Sequence, residues 1–319
     1  SYSAIKELVI QARKQMEKLA EEDADNLGVA SGFTAIDRVT SGWQRSDLII
    51  VAARPGMGKT SFTLALAKNA AMDHKQGVAV FSLEMSSLQL TNKLLSMDAS
   101  IPSNKIRDAK DLTDTDWTKL NRSIERLSDA DIFIDDTPQI NIFELRAKCR
   151  RLKMQHDIQL IIIDYLQLMS GGMDNKNGNR EQEISKISRA LKAMAKELDV
   201  PVIALSQLSR QVESRPDKRP QLSDLRESGA IEQDADMVIF LYRADYYDQA
   251  EPGEEEKTEV HIAKHRNGAT ANVPVRFIGP YTRFEEWEDT GFDGFNPAAS
   301  GSDSIITVAS RMNDDEDDT

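Results

Sequence analysis

The sequence predicts an α/β fold with a mostly parallel central sheet flanked by helices, preceded by a separate N-terminal helix. Six short runs carry the first observation: L-I-I-V-A-A (48–53), V-A-V-F-S-L (78–83), I-F-I-D (132–135), L-I-I-I-D (160–164), V-I-A-L-S (202–206) and M-V-I-F-L-Y (237–242). Several are apolar at every position, as strands are when helices cover both faces of a parallel sheet. Amphipathic helical stretches alternate with them, which is the second observation. The third is a loop, A-R-P-G-M-G-K-T (53–60), set between the first run and a stretch rich in good helix formers.

The elements follow in order. The opening segment places Ile5, Leu8, Val9, Ala12, Met16 and Leu19 on one stripe of a helix, opposite a charged face. This helix (1–22) and a polar linker (23–30) precede a main domain expected over 31–288. The stripe has two candidate partners, its own domain or a neighbouring subunit. The helix beginning after Asn141 carries a cap signal with Glu144 three residues on, and Cys149 shares its apolar face with Ile142, Leu145 and Leu152. T-E-V-H-I-A-K (258–264) and V-P-V-R-F-I (273–278) read as an antiparallel hairpin around R-N-G-A-T. The segment 289–319, with Gly, Ser, Asn and an acidic run, is expected to be a disordered tail.

At 319 residues the chain has room for one large domain or two small ones. It holds no run near the ~20 apolar residues of a membrane span. The first residues lack the basic-then-apolar layout of a secretory signal, and the start on Ser1 suggests a processed chain or a fragment. Cys149 is the single cysteine, so the expectation is a reducing compartment, the cytoplasm, with no intrachain disulfide or cysteine zinc site. The net charge of −13 is uneven: residues 285–319 hold eleven acids against Arg311, and residues 245–259 hold seven against Lys257. The rest is near neutral, which leaves a local basic site open.

A phosphate-cradling loop follows the pattern G-x-x-x-x-G-K-[ST], and here Ala53 stands at the first glycine. The flanks are those the chemistry needs, since backbone N–H groups and a helix N-terminus do the binding. Gly56 and Gly58 allow the backbone to wrap closely round phosphate oxygens, with Arg54, Pro55, Met57 and Ser61 completing the loop. Lys59 is suited to the β- and γ-phosphates, and the Thr60 hydroxyl to a Mg²⁺ shell. Ala53 is tolerable if its φ stays negative. A second carboxylate for magnesium is found in Asp164, at the end of a buried run. Glu84, after V-F-S-L, is a candidate base for orienting water, although a Glu at a helix start is ordinary. Gln207, leaving the next buried strand, is a candidate γ-phosphate sensor or else a surface-loop glutamine.

Six motifs occur in order: A-R-P-G-M-G-K-T, F-S-L-E-M-S, I-I-I-D-Y-L-Q-L-M, A-L-S-Q-L-S-R, D-L-R-E-S-G-A-I-E-Q-D-A-D and A-K-H-R-N-G. Together they resemble the bacterial replicative DNA helicases of the DnaB type, over about residues 1–288. The resemblance implies a linker helix and a RecA-like P-loop motor domain, the family's N-terminal helical domain being absent here. It implies a homohexameric ring that hydrolyses ATP or another nucleoside triphosphate with Mg²⁺ between subunits. Single-stranded DNA would pass through the centre in the 5′-to-3′ sense, with primase and a helicase loader as partners and no membrane. Glu84 would be the catalytic base and Asp164 the magnesium carboxylate. Lys264 and Arg266 match finger residues that reach a neighbour's γ-phosphate, although K-H-R-N-G alone reads as a basic hairpin turn.

The resemblance also places DNA-backbone contacts at Arg226, Glu227 and Gly229, in a stretch that otherwise reads as a helix N-terminus. Arg226 suits a phosphate and Gly229 lets a backbone N–H approach one, whereas Glu227 suits a backbone or positioning role. The loop 170–180 offers Lys176 and Arg180 to the same channel, or is simply mobile. Few aromatic residues lie near either segment, so backbone tracking is expected rather than base stacking. In the family the first helix packs on the adjacent motor domain. The acidic tail is either a partner-binding or a solubilising segment. Two other classes share Lys59, Glu84 and Asp164: a RecA-like recombinase or clock-type ATPase, and a nucleotide-gated scaffold.

Overall fold

A computed structural model describes residues 5–21, 28–170, 180–247 and 256–288. The chain divides into two units, Ser1–Trp287 and Glu288–Thr319. The first holds every element below; the acidic tail lies outside the described residues.

In chain order the elements are α1 (Ile5–Glu21), α2 (Thr34–Thr40), β1 (Leu48–Ala53), α3 (Lys59–Lys68), β2 (Val78–Ser82), α4 (Ser87–Ala99), α5 (Ser103–Asp108) and α6 (Asp114–Ser128). They continue with β3 (Ile132–Asp135), α7 (Ile142–His156), β4 (Leu160–Asp164), α8 (Arg180–Leu198), β5 (Val202–Gln207), α9 (Gly229–Asp234) and β6 (Met237–Tyr242). The last are β7 (Lys257–His265), β8 (Ala271–Ile278) and β9 (Arg283–Glu286).

Among the described residues one sheet runs in the order β3-β2-β4-β5-β1-β6-β7-β8-β9. The six strands from β3 to β6 are parallel, and β6 to β9 are antiparallel. The six apolar runs and the hairpin match these strands; β9, a short polar-edged strand, adds a partner that its composition did not signal.

The two faces of the sheet bury two separate cores. Ile49, Val51 and Ala53 face one, with Phe62 and Leu66 of α3 and Leu90 and Leu94 of α4. Leu48, Ile50 and Ala52 face the other, with Leu145 and Cys149 of α7 and Ile187 and Leu191 of α8. Period-two alternation along β1 thus feeds both cores, so no residue of that strand is polar. Cys149 is fully buried there, and burial pushes its thiol up to about 12. Asn141 caps α7 through Phe143 and Glu144 N–H groups; the Glu144 carboxylate instead lies 3.3 Å from Lys148, one turn on.

One boundary differs from the sequence expectation. Val29 and Ala30, assigned to the linker, are buried, and Val29 bridges Trp43 in an isolated antiparallel pair. The main domain therefore starts by residue 28. In α1 the stripe residues Ile5, Val9 and Met16 are 75%, 58% and 66% exposed, so the described residues do not cover them. The Leu8 and Leu19 side chains lie outside the described residues.

Candidate active site

All six parallel strands end on the same edge of the sheet, where crevices between strand ends hold ligands in open α/β folds. The loop after β1 opens at this edge. Ala53 is the last residue of the strand, fully buried, and its carbonyl accepts the Leu208 N–H at 3.3 Å. It has no positive φ, so a side chain costs nothing at the corner where the pattern has glycine. Gly56 and Gly58 are different, with φ of +85° and +89°. A Cβ on Gly56 would also stand 2.7 Å from the Tyr246 ring, and one on Gly58 3.1 Å from Phe284. Met57 buries its side chain in the core, so it and Ala53 offer the loop only backbone. The free N–H groups at the start of α3, whose N-cap is Gly58, point the helix dipole at the loop.

Lys59, Thr60 and Ser61 form the first turn of α3 and line a cleft of about 350 Å³ together with Glu84 and Gln207. The Thr60 hydroxyl donates to Asp164 Oδ2 at 2.7 Å. The other carboxylate oxygen, Oδ1, is buried with no partner. Burial holds the Asp164 carboxyl above its usual range despite the Thr60 hydroxyl and Lys59 ammonium. A buried carboxylate with one unpartnered oxygen beside a hydroxyl is the donor set of a divalent cation site. Thr60 and Asp164 fit Mg²⁺ as its two protein ligands, with phosphate oxygens and water supplying the rest.

The Lys59 ammonium lies 3.4 Å from the Ser206 carbonyl and 5.2 Å from the centre of the Tyr165 ring. Burial lowers its pKa, against the pull of Asp164 and Glu84. It is a partly desolvated cation, and an incoming anion would favour its charged form.

Glu84 is placed by a tight turn beyond β2. Ser82 Oγ donates to the Met85 carbonyl at 2.7 Å and accepts the Met85 N–H at 3.1 Å. Leu83 N–H bonds the Asp164 carbonyl at 2.7 Å, so the turn is tied to β4. Ser86 and Gln89 then form a reciprocal cap on α4. Glu84 follows from this as a fixed projection into the cleft, not as an N-terminal helix charge.

Arg54 lines the same cleft and ties the loop to the segment after β5. Its Nη1 donates to the Leu208 carbonyl at 2.7 Å and its Nε to Glu213 Oε1 at 3.0 Å. These two bonds anchor the guanidinium to the segment after β5.

Lys264 and Arg266 sit far from this cleft in the same chain. In β7, Lys264 pairs with Val238 and His265 with Met237, at the start of β6. Met237 pairs with Ile49, at the start of β1. Both cations therefore lie back along the strands from the loop, about 10 Å from the level of Ala53 for Lys264 and about 16 Å for Arg266. Lys264 Nζ donates to the Glu232 and Ala235 carbonyls at the C-terminus of α9, and Arg266 Nη1 bonds Asp236 Oδ1 at 3.0 Å. Arg266 remains half exposed. A finger role is open to them only toward another chain.

The side chains of Arg226 and Glu227 lie outside the described residues; the backbone of this stretch forms the 3₁₀ turn Leu222–Ser228 and, from Gly229, the start of α9. Lys176 also lies outside. Arg180 turns back on its own chain, bonding Glu183 and the Gln167 carbonyl.

Four cleft residues escaped the sequence reading. Tyr165 and Thr282 line the cleft, as does Phe277, with the Arg243 guanidinium 4.5 Å from its ring centre. Lys93 comes from α4; burial lowers its pKa and Asp164 opposes the shift. Nothing in spacing brings these distant positions together, and only Tyr165, beside Asp164, had a nearby motif to point to it.

Fold and site define a P-loop nucleotide-binding domain of the α/β type. Residues 28–286 match the model of the DnaB-like helicase C-terminal domain, and the chain belongs to that family. It is 51% identical over 288 residues to the replicative DNA helicase DnaB of Geobacillus stearothermophilus and 50% identical to the replicative DNA helicase DnaC of Bacillus subtilis. Each match covers 90% of this chain and 63% of the relative, so the chain spans less than two thirds of their length. A solved ATPase domain superposes over its whole length and 90% of this chain, with a TM-score of 0.85 and 43% identity. A solved DnaB-like replicative helicase, described with its interactions with primase, gives a TM-score of 0.81 at 43% identity, covering 90% of this chain and 68% of that one. The expected RecA-like architecture is thereby borne out.

Proposed function

We propose that the chain is the motor of a replicative DNA helicase, an ATP-hydrolysing ring that moves 5′ to 3′ on single-stranded DNA and unwinds duplex at the fork. The observation that carries the reading is the Thr60–Asp164 pair at the mouth of a phosphate loop, with Oδ1 of Asp164 unpartnered and Glu84 facing the same cleft.

Each residue of the chain then has a definable task. The backbone of Pro55 to Ser61 wraps the phosphates, and Lys59 neutralises the terminal pair. Mg²⁺, when bound, screens the triphosphate charge and polarises its terminal phosphoryl group. Thr60 and Asp164 hold that ion's place. Glu84 accepts a proton from the attacking water and orients it in line with the leaving oxygen. Gln207, at the end of β5, hydrogen-bonds the terminal phosphate and registers its loss. Charge developing on the transferred phosphoryl group is met by Lys264 and Arg266 of a neighbouring copy. That division of labour makes turnover depend on subunit geometry.

A homohexameric ring follows from the same arrangement, and the exposed stripe of α1 is its adhesive, lying on the adjacent motor domain. DNA passes by the Arg226–Gly229 segment, where sequence-tolerant backbone contacts make binding salt-sensitive. Primase and a loader are the proposed protein partners, and the cytoplasm the site of action. Among the described residues no helix is long and apolar enough to cross a membrane.

ATP hydrolysis measured with and without single-stranded DNA, beside the mass of the assembly, tests the reading. Stimulation by DNA in a hexamer is the expected result. A monomer whose turnover ignores DNA would sink it, and homologous pairing without unwinding would favour a recombinase.

A further inference from the structure

Parallel strands satisfy their backbone alternately, one residue toward each neighbour. In β5 the even-numbered residues turn to β1: Val202 N–H bonds the Asp47 carbonyl at 2.9 Å and Leu208 N–H the Ala53 carbonyl at 3.3 Å. Odd-numbered residues turn to β4, whose pairing with β5 ends at Ile163 and Ala204. Gln207 is odd-numbered and lies beyond that end, so its peptide groups face a place β4 no longer fills.

The side chain of Gln167 fills it. After Asp164 the chain turns through the 3₁₀ segment Leu166–Leu168, which carries Gln167 back over the end of β5. Gln167 Oε1 accepts the Gln207 N–H at 3.3 Å, and Nε2 donates to the Gln207 carbonyl at 3.4 Å. Nε2 also donates to Ser206 Oγ at 2.9 Å. One primary amide thus supplies the donor and acceptor that a β4 peptide would have supplied. The Ser206 carbonyl meanwhile accepts from Lys59, so the clamped pair 206–207 is also in contact with the phosphate loop.

We propose that Gln167 is the positioning residue for Gln207, holding the sensor's backbone in register with the phosphate loop and the Asp164 strand. The proposal rests on the reading of Gln207 as the residue that contacts the terminal phosphate. Gln167 itself touches no reacting atom. Its loss leaves the Gln207 peptide unpaired on one side, and the side chain is then no longer aimed by the sheet.

The test is a double-variant comparison in the full chain, reading kcat and KM for ATP and the melting temperature. Gln167→Leu keeps the bulk and removes both hydrogen-bonding atoms. It should lower kcat about tenfold, as a mispositioned catalytic contact does, with KM for ATP and melting temperature little changed. Gln207→Ala should lower kcat at least as much, and the double variant should fall no further than Gln207→Ala alone. Gln167→Glu keeps the acceptor for the Gln207 N–H and should restore part of the loss; if Gln167→Leu does not fold, Gln167→Glu carries the same comparison with Gln207→Ala. Unchanged kcat in the Gln167 variants, or losses that multiply in the double variant, would overturn the positioning role while leaving Gln207 in place. An undiminished kcat in Gln207→Ala would instead overturn the sensor reading, and the proposal with it.

Discussion

The Thr60 hydroxyl donates to the Asp164 carboxylate at 2.7 Å, joining the first turn of α3 to the end of β4. One carboxylate oxygen is thereby satisfied, and the other is left buried and unpaired. A fold tolerates such an anion at a cost, and here the cost is borne where a cation is expected.

Asp164→Asn should therefore stabilise the chain while ending its activity. Burial raises the Asp164 pKa, so ionisation opposes folding, and the penalty is complete above the folded pKa and fades as pH falls below it. The variant should melt higher at pH 8, by about 2–4 °C for each kcal/mol of penalty removed, and the gain should shrink as pH falls through the raised Asp164 pKa. Mg²⁺-dependent ATP hydrolysis should fall at least ~100-fold. Paired thermal melts and phosphate release check both halves.

Glu84→Gln separates turnover from binding. The side chain reaches the cleft from a turn fixed by Ser82 and Leu83, so an isosteric amide should leave that turn intact. Hydrolysis should drop about 10²–10⁴-fold, with ATP-analogue affinity kept within about twofold. No change would remove Glu84 from the mechanism; intact binding with negligible turnover already in the unaltered chain would favour a nucleotide-gated scaffold.

Lys264 and Arg266 stand back along the strands from their own loop. Subunits carrying Glu84→Gln and subunits carrying Arg266→Ala should each be inactive alone. Mixed in equal parts, they should regain activity, because about one interface in four then joins an intact base to an intact finger. Absence of recovery in verified mixed rings would show that Arg266 does not act in trans.

Asp47 offers a pH signature outside the cleft. Burial raises its carboxyl to about 6, with Asp236 adding to the shift and Lys192 and Arg266 opposing it. Its folded pKa exceeds the unfolded value, so the cost of ionisation appears between about pH 4 and 6 and is fully present above. The shift corresponds to about 3 kcal/mol before solvent screening, so Asp47→Asn should gain about 1–2 kcal/mol at pH 8 and well under 1 kcal/mol at pH 4. Denaturant titrations at the two pH values measure this difference.

Much of the fold was legible because the signals were local. A strand apolar on both faces, as β1 is, has one comfortable place, the middle of a covered parallel sheet. Gly56, Gly58, Lys59 and Thr60 announced a phosphate loop because their geometry is set within a few bonds of one another. Glu84, Asp164 and Gln207 were readable as strand-end residues for the same reason. The Arg54 guanidinium contacts were not legible, since its partners Leu208 and Glu213 lie more than 150 positions away.

By itself the sequence determined the six parallel strands and the hairpin, where the phosphate loop opens and which carboxylates end buried runs. Those depend on residue type and short-range periodicity. Only the tertiary structure decided that Lys93, Tyr165 and Phe277 share the cleft with them, that Gln167 replaces a missing strand at Gln207, and that Lys264 and Arg266 face away. Sheet order decides such neighbours, and it is set by how helices cover the two faces, a property of the whole packed layer that no window of residues contains.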